Sequence, residues 1–220
     1  MLFSGLAADE SIFGPQKLAF PGLTVPRWLD PLPDESLADY GKRWASELAP
    51  YSPNIIGGAS FGGIIALEMA KYLKPAAVIL IGSVRKREDL PLHIRALFSA
   101  RAFVPWVPWR ALQSLATCVK RPLFAKHFPH VSGVVRQFSN ANRNVLCWSV
   151  QQLLAWQGQS QIDCPIYQIH GSHDRILPVR KSVEQIANGG HVISLTHAKE
   201  VNVFIRKIME QHPPTDHVAE

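Results

Sequence analysis

The 220-residue chain is poor in the devices that staple small domains together: its three cysteines, Cys118, Cys147 and Cys164, are an odd number with no C-x-x-C spacing. That suggests neither a disulfide framework nor a zinc site, and leaves buried free thiols as the expectation. No apolar run approaches the 18 or more residues of a membrane span, and no basic segment followed by an apolar core opens the chain, so a soluble cytoplasmic protein is expected. Charge is also sparse, 18% of residues against 47% hydrophobic. Such a composition is globular, and a chain of this length can bury roughly 70% of its unfolded surface within one domain. No nucleic-acid partner, cofactor or metal is expected.

What the chain does have is a series of short apolar runs that stop at glycine or proline. Residues 1–4 read as a strand opening into Gly5-Leu6-Ala7-Ala8, and residues 17–20 read as a second that stops at Pro21-Gly22. A proline-rich connection follows, after which Ser36-Leu37-Ala38-Asp39 has capping-box spacing. Leu37, Tyr40, Trp44 and Leu48 then recur at helical intervals, with Pro50 and Pro53 as the stop. The run at Ile55-Ile56 precedes a helical segment over 64–73, and residues 76–82 form an apolar run without alternation, as in strands covered on both faces. Strand, turn, helix and strand make a βαβ unit with a parallel sheet. Further strands are expected at 164–171 and about 183–187. The final helix, 198–211, places Val201, Phe204, Ile205, Ile208 and Met209 on one face, and residues 213–220 read as a frayed tail.

Residues 85–159 differ in character: helix-period segments interrupted by prolines, with four of the six tryptophans, Trp106, Trp109, Trp148 and Trp156. They read as a helical cap inserted between two strands of a core made of residues 1–84 and 160–212. This insertion carries eleven bases against two acids, a net of +9, while the rest of the chain sums to −3. A solvated basic face accounts for that, and so does steering of an anionic substrate or docking of an acidic partner.

The stretch with chemical content is Gly58-Ala59-Ser60-Phe61-Gly62, a G-x-S-x-G pattern. Chance supplies the pentapeptide in roughly one chain of this length in ten to twenty, so its setting decides. Here it falls between an apolar run and a helix, the strand-turn-helix context in which a serine is lifted above the end of a parallel sheet. A serine hydroxyl needs a base to take its proton, and that base needs an acid to orient it. In such sheets the three project from strand ends in the chain order serine, acid, histidine. Ser60, Asp174 and His191 follow three successive strand ends in that order.

On these residues the chain resembles the alpha/beta-hydrolase fold superfamily, in particular its small serine esterases. Phe3-Ser4-Gly5-Leu6 matches the oxyanion loop, Gly58 to Gly63 the nucleophile elbow, His170-Gly171-Ser172-His173-Asp174 with Pro178 the acid loop, and Gly190-His191 with Glu200-Val201-Asn202 the histidine loop and its helix. The resemblance implies Ser60 as nucleophile, His191 as general base, Asp174 as its orienting acid, and the backbone N–H groups of Leu6 and Phe61 as the oxyanion hole. It also implies an α/β fold with a reduced, mostly parallel sheet of about six strands and a helical lid. Two departures from the family pattern stand out. Nothing precedes the oxyanion strand where relatives carry two further strands, and Ser4 occupies the place where many have histidine.

Other residues compete for these roles. His197 lies close to His191 but opens the final helix, where capping or exposure accounts for it; His170 at a strand end reads as a buried, hydrogen-bonded imidazole, and His173 as a loop residue. Asp163 precedes its strand, on the opposite edge of the sheet. His170, His173 and Asp174 together could suggest a metal site, which the serine elbow makes unnecessary. The expected function is hydrolysis of a small carboxylic ester with an apolar acyl group through an acyl-enzyme. One alternative is a thioesterase or esterase for acyl groups on coenzyme A or an acidic acyl carrier protein, and a second is a non-catalytic binding module on the same scaffold.

Overall fold

A computed structural model of the chain describes residues 1–118, 129–158, 162–178 and 183–213. Five strands form one sheet: β1 (Leu2–Phe3), β2 (Ile55–Ala59), β3 (Ala77–Ile81), β4 (Ile166–Gly171) and β5 (Glu184–Ile186). They are parallel throughout and lie side by side in chain order. The apolar run of β3 explains how such a sheet is held. Alternate residues point to opposite faces, so Val78 and Leu80 enter one core while Ile79 and Ile81 enter the other, each at most 1% exposed.

The first core is closed by α2 (Leu37–Leu48) and α3 (Phe61–Leu73). The second is closed largely by the last helix, Ala198–Gln211, through Val201, Phe204, Ile205 and Ile208. Helix α2 starts as its sequence requires: Ser36 caps it, its hydroxyl accepting from the Asp39 N–H at 3.1 Å. Of the apolar face expected on the last helix, Met209 alone is turned out, 44% exposed.

One expected strand is not there. Residues 17–20 belong mostly to a helix, α1 (Gly14–Ala19), so among the described residues the sheet has five strands where about six are expected. Pro15 occupies the first turn, where its missing N–H is no loss and its fixed φ suits a helix. The buried side chain is Gln16, whose amide donates to the Ser194 carbonyl and to Asn202 Oδ1, both at 3.0 Å, while Leu18 is 88% exposed. The helix is thus docked by a polar residue with two tertiary hydrogen bonds, which the short apolar run at 17–20 does not reveal.

Between β3 and β4 every described element is helical. These are α4 (Leu92–Ala96), a 3-10 stretch over Leu97–Trp106, α5 (Trp109–Cys118), α6 (Pro129–Asn140) and α7 (Arg143–Ala155). Three of the four tryptophans here are buried, and each indole N–H is a tether. Trp109 donates to the Val104 carbonyl at 3.1 Å, Trp148 to that of Glu35 at 2.7 Å, and Trp156 to the buried Glu68 Oε1 at 2.9 Å. Trp148 and Trp156 therefore fasten α7 to the core, and only Trp106 is exposed. After β5 come α8 (Ile193–Thr196) and α9, the last helix already given. Among the described residues no helix is long and apolar enough to cross a membrane. Cys147 and Cys164 are free and half-buried, and burial pushes both thiols up. The side chain of Cys118, the bases Lys120, Arg121 and Lys126, and residues 214–220 of the expected tail lie outside the described residues.

Candidate active site

β2 runs to Ala59, α3 begins at Phe61, and Ser60 alone makes the turn, with φ 51° and ψ −124°. A residue with a side chain holds that conformation only if its surroundings impose it. The flanking glycines are part of those surroundings. A Cβ on Gly62 would stand 2.2 Å from the Phe3 carbonyl oxygen and one on Gly58 2.4 Å from the Gly62 backbone. The elbow is thus pressed against the end of β1, and the Ser60 N–H is anchored to the Ile81 carbonyl at 3.0 Å.

Asp174 sits in a turn after β4 and is 5% exposed. Its Oδ1 accepts from the N–H groups of Ile176 and Leu177, each at 2.9 Å. Its Oδ2 lies 2.7 Å from His191 Nδ1 and 3.7 Å from Nδ1 of the buried His170. Burial by itself works to raise the Asp174 pKa; the neighbouring imidazoles of His170 and His191 and the Leu177 N–H outweigh it and hold the carboxyl well below the usual carboxylate range. An ionised carboxylate only accepts, so His191 Nδ1 carries the proton and Nε2 is left to accept. His191 Nε2 lies 3.0 Å from Ser60 Oγ.

His191 stands on the loop between β5 and α8, which crosses close to the end of β4. A Cβ on Gly171 would fall 2.2 Å from the Gly189 carbonyl oxygen, so only glycine permits that crossing. Ser60, Asp174 and His191 are therefore one hydrogen-bonded chain, built from the ends of three strands.

The remaining candidates fall elsewhere. His197 precedes α9 without a side-chain capping bond and pairs with Thr196 Oγ1 at 2.9 Å; His173 and Asp163 are exposed. His170 is 1% exposed, its Nε2 2.6 Å from the Ser83 carbonyl, to which Gln168 also donates at 2.7 Å. This buried polar cluster behind Asp174 had no signature in the sequence beyond a histidine at a strand end.

Leu6 lies in the loop after β1, half-buried against Val104, Trp109 and Leu146, and its N–H has no acceptor among the described residues. Phe61 is the first residue of α3, where an N–H has no intrahelical acceptor. Beside this loop is a cavity of about 490 Å³, bounded by Ser4, Ala7 and Trp28 on the core side and by Arg136, Asn140 and Val145 on the helical side. A second cavity, about 570 Å³, is lined by Met1, Phe20, Tyr51, Ile55, Met209 and His212, at the amino ends of the first strands.

The sequence profile of the Alpha/beta hydrolase family matches residues 7–203. No curated protein sequence matches the chain. Several solved structures share the fold. A thermophilic esterase from Thermogutta terrifontis, malate bound, superposes with a TM-score of 0.74 at 16% identity over 96% of this chain and 89% of its own. MenH from S. aureus gives 0.72 at 15% over 97% and 94%, and an enol-lactonase from Burkholderia xenovorans LB400 gives 0.71 at 13% over 95% and 90%.

Proposed function

The chain belongs to the alpha/beta hydrolase family, and from that premise we propose that it is a serine hydrolase cleaving small carboxylic esters through an acyl-enzyme. The observation that carries this reading is the unbroken chain Asp174 Oδ2, His191, Ser60 Oγ, with contacts of 2.7 and 3.0 Å. Ser60 Oγ attacks the ester carbonyl carbon as His191 Nε2 takes the hydroxyl proton, and Asp174 stabilises the imidazolium so formed. Negative charge collects on the carbonyl oxygen, held by the N–H groups of Leu6 and Phe61, each such donor contributing about 3 kcal/mol to lowering the barrier. Collapse of the tetrahedral species expels the alcohol, which leaves with the proton from His191. Water then repeats the sequence on the acyl-enzyme, giving its proton to His191 and releasing the acid as Ser60 recovers its hydrogen.

In this reading residues 85–159 are the lid, and the acyl group of the substrate is apolar. The free thiols Cys147 and Cys164 fit a reducing compartment such as the cytoplasm. A fluorophosphonate probe should label the wild type at Ser60 and leave Ser60→Ala unlabelled and inactive on p-nitrophenyl butyrate; an unlabelled wild type, or an active Ser60→Ala, overturns the proposal and leaves a binding module in its place.

The exposed Arg110, Arg136 and Arg143 support a second reading, in which the acyl group is presented on coenzyme A or an acidic carrier protein. Steering by these bases should make cleavage of a carrier-bound thioester fall steeply between 50 and 500 mM salt, while a neutral ester is unaffected. Equal salt responses would remove the carrier.

A further inference from the structure

Ser4 immediately precedes Gly5 at the end of β1, and its surroundings show what it does. It is 2% exposed, and its hydroxyl donates to the Ala8 carbonyl at 2.8 Å. The same oxygen accepts from the indole N–H of Trp28 at 3.0 Å. Between the ends of this short chain of bonds lies the tight turn Gly5 to Ala8, closed by the Ala8 N–H on the Gly5 carbonyl at 3.0 Å. Within the turn Ala7 has φ 60°, a left-handed conformation that is strained for a residue with a Cβ. A strained turn keeps its shape only while something outside it holds it.

Trp28 also reaches the other arm of the same site. Its ring centroid is 5.8 Å from that of Phe61, and Phe61 in turn packs against Trp148 of α7 at 6.3 Å. One indole therefore touches both segments from which the oxyanion donors come: by hydrogen bond the loop carrying Leu6, and by ring contact the residue whose own N–H is the second donor. Trp28 is itself held against Trp44, whose ring is buried in the core.

We propose that Trp28 is the positioning residue of the oxyanion hole, fixing the Leu6 N–H through Ser4 and the Phe61 N–H through its ring. The proposal rests on the serine-hydrolase reading above. It touches no reacting atom, so its effect is on the height of the barrier rather than on ground-state binding, because the charge it serves exists only after Ser60 has attacked.

The test is steady-state hydrolysis of p-nitrophenyl butyrate, with inhibition by phenylboronic acid, for the wild type, Trp28→Phe, Ser4→Ala and the double variant. Phenylalanine keeps an aromatic ring in the place of the indole and loses the N–H together with part of the ring's bulk, whereas Ser4→Ala removes the hydrogen bond and leaves the indole whole. Since deleting one donor outright costs a hundredfold or more, displacing it should lower kcat about tenfold in each single variant. KM should stay within twofold, and the phenylboronate inhibition constant, which reports the tetrahedral oxyanion, should rise with the fall in kcat. The double variant should be no worse than the poorer single one, since both changes break the same chain. Undiminished kcat, KM and inhibition constants that move together, or losses that multiply in the double variant each overturn the clamp; should Trp28→Phe not fold, Ser4→Ala alone decides. A wild type that neither turns over ester nor takes the fluorophosphonate sinks the hydrolase reading, whereas an active wild type with unimpaired variants sinks only the role of Trp28.

Discussion

At Ser60 the backbone and the side chain are set by different parts of the molecule. The strained turn is fixed by contact of the elbow with the end of β1, the hydroxyl by His191. Gly62→Ala probes the first alone: its Cβ would meet two carbonyl oxygens, of Phe3 at 2.2 Å and Ser4 at 2.3 Å, neither of which can yield without moving β1. A loss of about 3 kcal/mol is expected, read as a fall in the denaturant midpoint. Asp174→Asn probes the second. With an amide facing Nδ1, the histidine can adopt the wrong tautomer, so kcat should fall by about 10⁴ while circular dichroism shows the fold retained; a tenfold loss or less would mean that His191 is oriented by other contacts. The three residues were legible in the sequence because each follows a strand end, and strand ends are marked by glycine. Trp28, Gln168 and Ser83 were not, because hydrogen bonds such as Trp28 to Ser4, 24 residues apart, follow no local period.

Among the elements, the best-read were those whose sequence pattern and burial agree. Helix α2 is the clearest case, capped at Ser36 and buried at Leu37, Tyr40, Trp44 and Leu48. Ser36→Ala should cost about 1 kcal/mol, a shift of about 2–4 °C in melting temperature; no shift would mean the Asp39 N–H is satisfied by water. Helix α1 was misread because its decisive contacts are those of Gln16 with α8 and α9 chain far away in sequence. The tryptophans of the insertion stand out as a group, yet the indole partners of Trp148 and Trp156, Glu35 and Glu68, lie on the core and follow no spacing in the sequence. Trp156→Phe leaves a buried carboxylate oxygen of Glu68 without its donor and should destabilise by about 1–3 kcal/mol, loosening α7 in hydrogen exchange before the sheet.

For the molecule as a whole, acid is the informative perturbant. Glu35 is gripped by Arg43 through contacts of 2.7 and 2.8 Å, and that grip, foremost among its causes, holds the carboxyl below its ordinary value, as neighbours do for Asp174. A depressed folded pKa contributes stability that is present above the unfolded value near 4 and is lost as pH falls through the folded one. Unfolding free energy should therefore drop on going from about pH 5 to pH 3, and drop less in Glu35→Gln, which cannot take up the proton; an equal slope in both would show that the Arg43 contact has no net effect. The Glu35 carbonyl also receives Trp148, so weakening this corner reaches the insertion.

The connection from Ile81 at the end of β3 to Ile166 at the start of β4 also has a temporal side. Parallel pairing across so long a stretch closes slowly, whereas β1, β2 and β3 join through shorter segments. The folding molecule would thus set Ser60 in place before Asp174 and His191, which arrive with β4 and the chain after β5. Refolding should show helical circular dichroism returning ahead of the proposed hydrolase activity, with a lag that shortens if residues 85–159 are replaced by a brief linker; simultaneous recovery would mean that the two halves of the sheet nucleate together.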